Sequence, residues 1–468
     1  MTPWIPRMVV GLCLLGMANA VLAQSTSTSE DDDLKRIPHA AEVAPSPSSS
    51  TTQRSSEQRI RIEDAFTGWD NQTLVIPTPA AQPSWQNRLS LDADIKLPLA
   101  NAWTFGFSDR LNVFAGSLLS AVSRANAQND LREIYLSDEL VPRTYIEAGR
   151  VNLKEGIAYG YNPTDFFKTR SAVQLSSIDP SAARESRLGV VMIKAQRLFD
   201  GGSITAAYAP RLTDTAPIPT SALASFDPGW GRTNADGRGL LSVSWNGSAF
   251  NPQLLAFHDA IGTHWGGSLS RVLNAGTVAY LEWSGVREPS LTARALAFGE
   301  RTGALPAGLS VIEHVSGRKP FSNDLSIGAS WTSAFNLTLN VEYHYHESGL
   351  SGPEFSRISE QGANNTRSAS QFWYVRQYAA DQQEPLTRRE FFLRADWQDV
   401  IPSTLNLGAI AFVAENDGSG LAQMYAQYFP SRNWTISAYV GTTIGSKTSV
   451  FGSLPWRVSG VVQVVRYL

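Results

Sequence analysis

The sequence predicts an all-β fold, an antiparallel β-barrel that crosses a membrane, and three observations predict it. Segments of roughly eight to ten residues alternate apolar and polar side chains, as LTLNVEYHYH does from Leu337 to His346. Short and long connections between these segments largely alternate along the chain. An apolar leader directs the chain out of the cytoplasm. Short turns at one end and long loops at the other are typical of bacterial outer-membrane barrels.

The N-terminus has the features of a secretory signal peptide, which we predict over residues 1–23. Its only charge is Arg7, an apolar run starts at Met8, and small residues precede a cleavage point after Ala23. The single cysteine, Cys13, lies inside this leader. The mature chain therefore has no thiol, which excludes disulfides, thiol catalysis and cysteine metal sites.

The mature chain divides into a polar tail and one large domain. Residues 24–57 are rich in Ser, Thr and Pro, so they cannot bury enough apolar area to fold, and we predict a disordered periplasmic tail. Residues 58–468 form the predicted barrel. The whole chain carries 39 Lys and Arg against 42 Asp and Glu, a net charge of −3, which does not favour nucleic acid as a partner.

Two-faced strands follow one another from Arg88 onward. RLSLDADIKL is followed by WTFGFSDRLNV from Trp103, and later by LSIGASW from Leu325, FFLRADW from Phe391 and WTISAYV from Trp434. Successive side chains of a strand point to opposite faces. Each strand therefore has an apolar face for lipid and a polar face for a wet lumen, with tryptophans near strand ends as an interfacial girdle.

We count about 17 strands between Arg88 and the C-terminus. The alternation of loops requires one more strand before them, either RIRIEDAF at Arg59 or TLVIP at Thr73. The prediction is therefore about 18 strands, within a range of 14–18, because some segments are poorly patterned and another strand is conceivable in 291–315. A barrel of this size is wide enough for an aqueous channel unless a loop fills it.

One region resembles a known family. The text LREIYL at 131–136, followed by YIEAGRVNLKEGIAYGYNPTDFF at 145–167, is similar to the early part of large porin-like outer-membrane barrels of the alginate-export type and of related uncharacterised barrels. The resemblance implies diffusion or export of a polar solute. It also implies an arginine-dominated lumen, whereas the inward positions of this chain mix both charge signs.

Charged side chains at inward strand positions and in the loop 151–186 are the candidates for lining the lumen or its constriction. Whether that loop folds into the lumen or caps the outside is left open by the sequence. The candidates are Asp92, Asp94, Lys96, Arg110, Arg150, Lys154, Asp165, Lys168, Arg170, Glu342, His344, His346, Arg394 and Asp396.

The histidines invite two other readings. His344 and His346 lie beside Glu342 on one face, which is a possible start of a metal site, but further ligands cannot be placed. Ser348 follows closely, yet no G-x-S-x-G motif occurs and no orienting acid is evident, so no enzyme is predicted. We predict polar lumen lining, with no catalytic residue, metal or cofactor.

The expected function is a porin-like channel in the Gram-negative outer membrane that passes small polar or mildly charged solutes passively. The expected partners are outer-membrane lipid, lipopolysaccharide, the barrel-assembly machinery during insertion and a small-molecule solute. Two alternatives stay open: a channel for hydrophobic compounds or polysaccharide export, and a non-conducting barrel that anchors the envelope.

Overall fold

A computed structural model describes residues 56–79, 81–99, 103–117, 127–218, 226–247, 249–308 and 319–468. The predicted signal peptide, and all but the last two residues of the predicted tail, lie outside these ranges. The strands are β1 (Glu57–Asn71), β2 (Trp85–Pro98), β3 (Thr104–Gly116), β4 (Ala127–Val141), β5 (Thr144–Val151), β6 (Val190–Phe199), β7 (Gly202–Ala209), β8 (Arg238–Trp245), β9 (Asn251–His258), β10 (Thr263–Asn274), β11 (Thr277–Arg287), β12 (Phe321–Thr332), β13 (Leu337–His346), β14 (Arg389–Ile401), β15 (Leu405–Ala414), β16 (Gly420–Ser431), β17 (Trp434–Ile444) and β18 (Trp456–Tyr467).

These 18 strands form one closed antiparallel barrel in which each strand pairs with its neighbours in sequence. The first strand closes the ring by pairing with the last, with Phe66 opposite Val462, and the N–H of Leu468 donates to the carbonyl of Ile60 at 2.9 Å. Closure leaves no unpaired sheet edge along the ring, which a membrane-spanning sheet requires. The predicted all-β fold and the count of 18 are confirmed, and RIRIEDAF is the first strand.

Burial follows the predicted two-residue period. In β13, Val341 on the outer face is 51 % exposed, whereas Glu342 and His344 on the inner face are 1 % and 0 % exposed. Exposed tryptophans lie near strand ends, including Trp85, Trp331 and Trp434. The apolar outer face and its tryptophans are those of a transmembrane barrel of the outer-membrane type.

The two ends of the barrel differ in their connections. At one end the strands are joined by short turns, such as 142–143, 200–201 and 432–433. The other end carries the long connections, among them 152–189 and 347–388. The short connections at 259–262 and 415–419 are the two exceptions at the long-loop end.

Helices occur only within long connections in the described parts of the chain. They are α1 (Pro180–Ser186), α2 (Trp230–Thr233), α3 (Leu291–Arg301), α4 (Gly352–Asn364) and α5 (Thr366–Gln382). The range 291–315, where a further strand was conceivable, begins with a helix over Leu291–Arg301 whose N-cap Ser290 accepts from the N–H of Ala293 at 3.3 Å, and residues 309–315 lie outside the described ranges. No helix in the described ranges is long and apolar enough to cross a membrane.

The external connections have apolar cores of their own. Helices α3 and α5 share a buried cluster that includes Leu296, Phe298 and Val375. Helices α4 and α5 share a second cluster, in which Ile358 and Phe372 pack together with Ile76 of the β1–β2 connection. These clusters hold the long connections together as a packed layer, which helps to position the connection 152–189.

Candidate functional site

The connection between β5 and β6, residues 152–189, folds into the barrel, and we call it the inward loop. Its middle is buried: Thr164, Asp165 and Phe167 are 0 %, 2 % and 2 % exposed. Phe166 stacks on Phe257 of β9, with ring centroids 4.7 Å apart. The sequence left inward and outward folding open, and the structure shows the loop folded inward.

Glu282 of β11 holds one part of the inward loop. One carboxylate oxygen accepts the main-chain N–H groups of Ile157 and Ala158 at 2.8 and 3.0 Å. The other accepts the N–H and the hydroxyl of Thr164 at 2.8 and 2.7 Å. Gly156 has φ +85°, and a Cβ there would lie 2.4 Å from Glu282 Oε1, so only glycine permits this close approach.

Glu342 of β13 holds the adjacent part in the same way. Its oxygens accept the N–H groups of Tyr159 and Gly160 at 2.6 and 2.8 Å. They also contact the hydroxyl of Tyr280 at 2.6 Å and Nε2 of His344 at 2.7 Å. Two wall carboxylates therefore satisfy main-chain donors that would otherwise be buried without partners.

The far part of the inward loop reaches other sectors of the wall. Arg88 of β2 donates to the carbonyl of Gln174 at 2.8 Å and to Ser176 Oγ at 3.1 Å. The N–H of Ile178 donates to Gln423 of β16 at 3.0 Å. Because the loop also contacts β11 and β13, it crosses the lumen and is attached on several sides.

Buried ion pairs stabilise the inward loop internally. Arg187 forms a two-pronged pair with Asp165, at 2.7 and 3.0 Å. Burial by itself would raise the pKa of Asp165, but Arg187 and Arg184 outweigh burial and lower that pKa. Lys154 pairs with Glu185. These contacts place the predicted candidates Asp165 and Lys154 in the framework of the loop.

Two further candidates of the inward loop are also held by partners. Lys168 donates to the carbonyl of Asn162 at 2.5 Å and lies 4.2 Å from the ring centroid of Tyr161, and burial lowers its pKa. Arg170 pairs with Asp381 of α5 at 3.2 Å and donates to the carbonyl of Ala216. Burial lowers the pKa of Arg170 as well. Arg170 therefore joins the inward loop to the external layer.

Glu155 is a titratable contact between the inward loop and the wall, and it is not among the predicted lumen candidates. Its carboxyl accepts from Gln253 of β9 at 2.6 Å and from Ser242 of β8 at 3.4 Å. Burial, with a smaller contribution from the Asp165 charge, raises the pKa of Glu155 to about 7. Its charge consequently changes near neutral pH.

The candidates on β2 and β3 belong to a network of opposite charges. Asp92 contacts Arg132 at 2.6 Å and Arg110 at 3.5 Å. Asp94 contacts the same Arg132 at 3.0 Å. Lys96 is separate from them, since its side chain is 62 % exposed near the short-turn end.

Arg150 is placed differently from the other candidates. It pairs in register with Ile134, which is 41 % exposed on the outer face, and side chains of paired residues share a face. Its guanidinium is buried by donating to the carbonyls of Gly189 and Pro228. Arg150 therefore does not lie on the inward face where the sequence placed it.

The remaining strand candidates lie on β14 and β13. Arg394 contacts Asp179 of the inward loop at 3.1 Å and Asp396 at 2.9 Å, and the hydroxyl of Tyr425 donates to Asp396. His344 contacts Glu390 at 3.4 Å besides Glu342. These side chains attach the loop to the wall or to one another.

His346 lies between an acid and a serine. Its Nδ1 is 2.7 Å from Asp324, and its Nε2 is 3.2 Å from Ser348 Oγ. The serine oxygen also accepts from Arg294 at 2.9 Å, and Glu384 lies 3.7 Å from the same imidazole nitrogen. The serine and the histidine are thus tied into a salt-bridge network at the external end, and we assign no catalysis to them.

No group of three or more histidine, cysteine, aspartate or glutamate side chains within the described ranges is arranged to hold a metal ion.

Glu282 is the main residue that sequence reasoning missed. The alternation of Tyr280, Glu282 and Ser284 was a usable signal, because all three are inward and buried.

No protein-family model and no curated protein matches the chain. Solved structures with a similar architecture include Pseudomonas aeruginosa OccK11 (OpdR), at a TM-score of 0.49 and 8% identity over 88% of this chain and 96% of that one. Pseudomonas aeruginosa OccK3 (OpdO) has a TM-score of 0.47 and 10% identity over 88% and 95%. A triple mutant of Rhodopseudomonas blastica porin has 0.40 and 8% over 88% and 100%. The resemblance to alginate-export barrels stays a prediction.

Proposed function

We propose that the chain is a Gram-negative outer-membrane channel that passes small polar or mildly charged solutes by passive diffusion, and that the inward loop sets its aperture. The observation that carries the proposal is the attachment of this loop across the lumen by Glu282 and Glu342. A loop that only capped the outside would have no need for buried carboxylates on the inner wall.

The barrel supports this proposal in two ways. Eighteen strands enclose a lumen wide enough for water when loops leave room. The inward faces carry charges of both signs, such as Asp92 and Arg132, and such linings select solutes by charge and size. The proposal includes export through a cleaved leader, insertion by the barrel-assembly machinery, and contact of the outer face with lipid and lipopolysaccharide.

The test is single-channel conductance of the refolded protein in a planar bilayer. Glu282→Gln together with Glu342→Gln weakens five charge-assisted main-chain hydrogen bonds, so we expect a larger conductance or a longer open time than in the wild type. Glu57→Gln is the matched control, because the Glu57 side chain is 57 % exposed near the short-turn end and pairs only weakly with Lys96, at 4.0 Å.

A second candidate, the non-conducting barrel, is favoured by one observation. The inner wall around Glu342 and His344 is wholly covered by the inward loop and its neighbours. A folded, heat-modifiable barrel that shows no current steps, either as wild type or after deletion of residues 156–182, would establish that candidate and remove the channel.

A further inference from the structure

A cavity of about 140 Å³ lies beside the inward loop, on the side of the long connections, and we call it the outer cavity. It is bounded by residues 174–178 of the loop and by the inner faces of β1, β2, β16, β17 and β18. Trp69, near the end of β1, and Trp456, at the start of β18, both line it. A solute entering from that end would meet this cavity before the rest of the loop.

The lining of the outer cavity combines apolar side chains, among them the two indoles, with polar groups that are nearly all uncharged. Amide groups of Gln86, Gln174 and Gln423 lie beside the hydroxyls of Ser176 and Ser459. Among the described residues no aspartate or glutamate lines it. A ligand with many hydroxyl groups is suited to such walls, since amides and hydroxyls both donate and accept.

Arg88 is the single charged group in the lining, and its charge is compensated. The guanidinium pairs with Glu63 at 2.6 Å, and its other terminal nitrogen donates to the inward loop. Arg88 is only 5 % exposed, and its Nε–H is buried with no hydrogen-bond partner within the described part of the chain. A buried donor of this kind is costly unless an acceptor reaches it.

We propose that the outer cavity is a binding subsite for a neutral hydroxylated ring of monosaccharide size, through which the channel selects its solute. An indole of Trp69 or Trp456 packs against the apolar face of the ring, and the amides bind its hydroxyls. Glu63 pairs with Arg88 and with Arg110, and Arg110 also contacts Asp92, so carboxylates already contact the guanidinium groups beside the cavity that would otherwise favour an anion. This inference rests on the proposed function and names its substrate class.

The subsite is tested by two measurements on the full-length refolded protein. Methyl glucoside is titrated in detergent micelles with tryptophan fluorescence as the readout, which needs no conduction. The same ligand is then added to a planar bilayer, where an occupied subsite lowers the ion current. We expect saturable binding and current block, with glucuronate binding no tighter than methyl glucoside.

The variants locate the effect. Trp69→Ala and Trp456→Ala each remove one stacking surface and should weaken binding by about tenfold. Ser459→Leu should reduce binding by occupying the cavity without removing a stacking group. Trp85→Ala is the control, because Trp85 is 40 % exposed on the outer face and should leave binding unchanged.

Several results would overturn the subsite. Tighter binding of glucuronate than of methyl glucoside would show an anion site, and an equal loss in Trp85→Ala would show that the fluorescence reports another location. A protein that conducts but binds neither sugar would contradict the proposed subsite and support the proposed channel. Sugar binding without conduction would contradict the proposed channel and support the proposed subsite.

Discussion

Thr164 donates twice to Glu282, once from its main-chain N–H at 2.8 Å and once from its hydroxyl at 2.7 Å. Both residues are fully buried. A wall residue and a loop residue 118 positions apart in the chain therefore share a contact sealed from water. Because the Thr164 hydroxyl is an uncharged donor, replacing it weakens the attachment of the inward loop without removing a charge.

Thr164→Val keeps the shape of the side chain and removes the hydroxyl. We expect the docked loop to lose about 1 to 2 kcal/mol, because Glu282 keeps its main-chain donors and loses one of four hydrogen bonds. Single-channel recordings should show more frequent transitions between current levels. Thr435→Val, on the inner face of β17, is the control; equal transition rates in both variants would contradict a specific role for Thr164.

Glu155 predicts a pH dependence of loop docking. Its pKa in the docked loop is raised to about 7 by burial, whereas an undocked carboxyl titrates near pH 4.5. The docked loop is therefore most stable below pH 4.5, where the carboxyl is protonated in both states, and it loses stability as pH rises toward and through 7. We expect open time to increase between pH 5 and 8.

Glu155→Gln keeps an acceptor for Gln253 but cannot ionise. The variant should show the same open time across pH 5 to 8. If open time in Glu155→Gln rises with pH as it does in the wild type, the pH dependence belongs to another group.

Arg187→Met removes the two-pronged partner of the buried Asp165 and leaves it with Arg184, at 3.5 Å, as a more distant ion-pair partner. Breaking a buried pair by removing one partner costs about 3 to 5 kcal/mol, so the loop should undock and become open to proteolysis. The readout is trypsin cleavage within residues 152–189, followed on a gel that also reports heat modifiability.

The matched control for this pair lies at a turn. Arg143 contacts Asp200 at 2.6 Å, but their side chains are 61 % and 93 % exposed, so Arg143→Met should change stability by about 0 to 1 kcal/mol. Adding Asp165→Leu to Arg187→Met should restore part of the protection. Protection unchanged in the single Arg187 variant would show that the pair does not hold the loop.

Ser348 and His346 provide a test of the absence of catalysis. Because Arg294 holds the serine oxygen at 2.9 Å, we expect no covalent labelling of Ser348 by a fluorophosphonate and no ester hydrolysis above the rate of Ser348→Ala. Labelling that disappears in Ser348→Ala would contradict this expectation and require a hydrolytic function.

The strands were predictable because their information is local. The alternation of Leu337–His346 specifies an inner and an outer face without reference to any partner. The alternation of connection lengths then predicts the strand number, but it left RIRIEDAF and TLVIP as alternatives for the first strand. Helix α3 was also locally encoded, by Ser290 as N-cap and an apolar periodicity, but the expectation of strands concealed it.

The site was less predictable because its contacts depend on register across the barrel. Nothing local indicates that Glu282 meets Thr164 or that Arg394 meets Asp179. The alternation indicates which charges of β2, β3 and β13 face inward, but it left open whether those charges line an open lumen or meet a loop. Their partners come from distant segments, and the register of β4 with β5 places Arg150 on the other face.

The pairing of β1 with β18 has a consequence for biogenesis. The contact that completes the fold joins residues far apart in the chain, such as Phe66 and Val462, so most of the entropy of loop closure is lost before the final hydrogen bonds form. A chain truncated before Trp456 has two unpaired strand edges, because β1 and β17 both lose β18 as a partner. Such a fragment is a template for aggregation, so the twelve residues of β18 decide whether all the preceding strands become a membrane protein or a misfolded one.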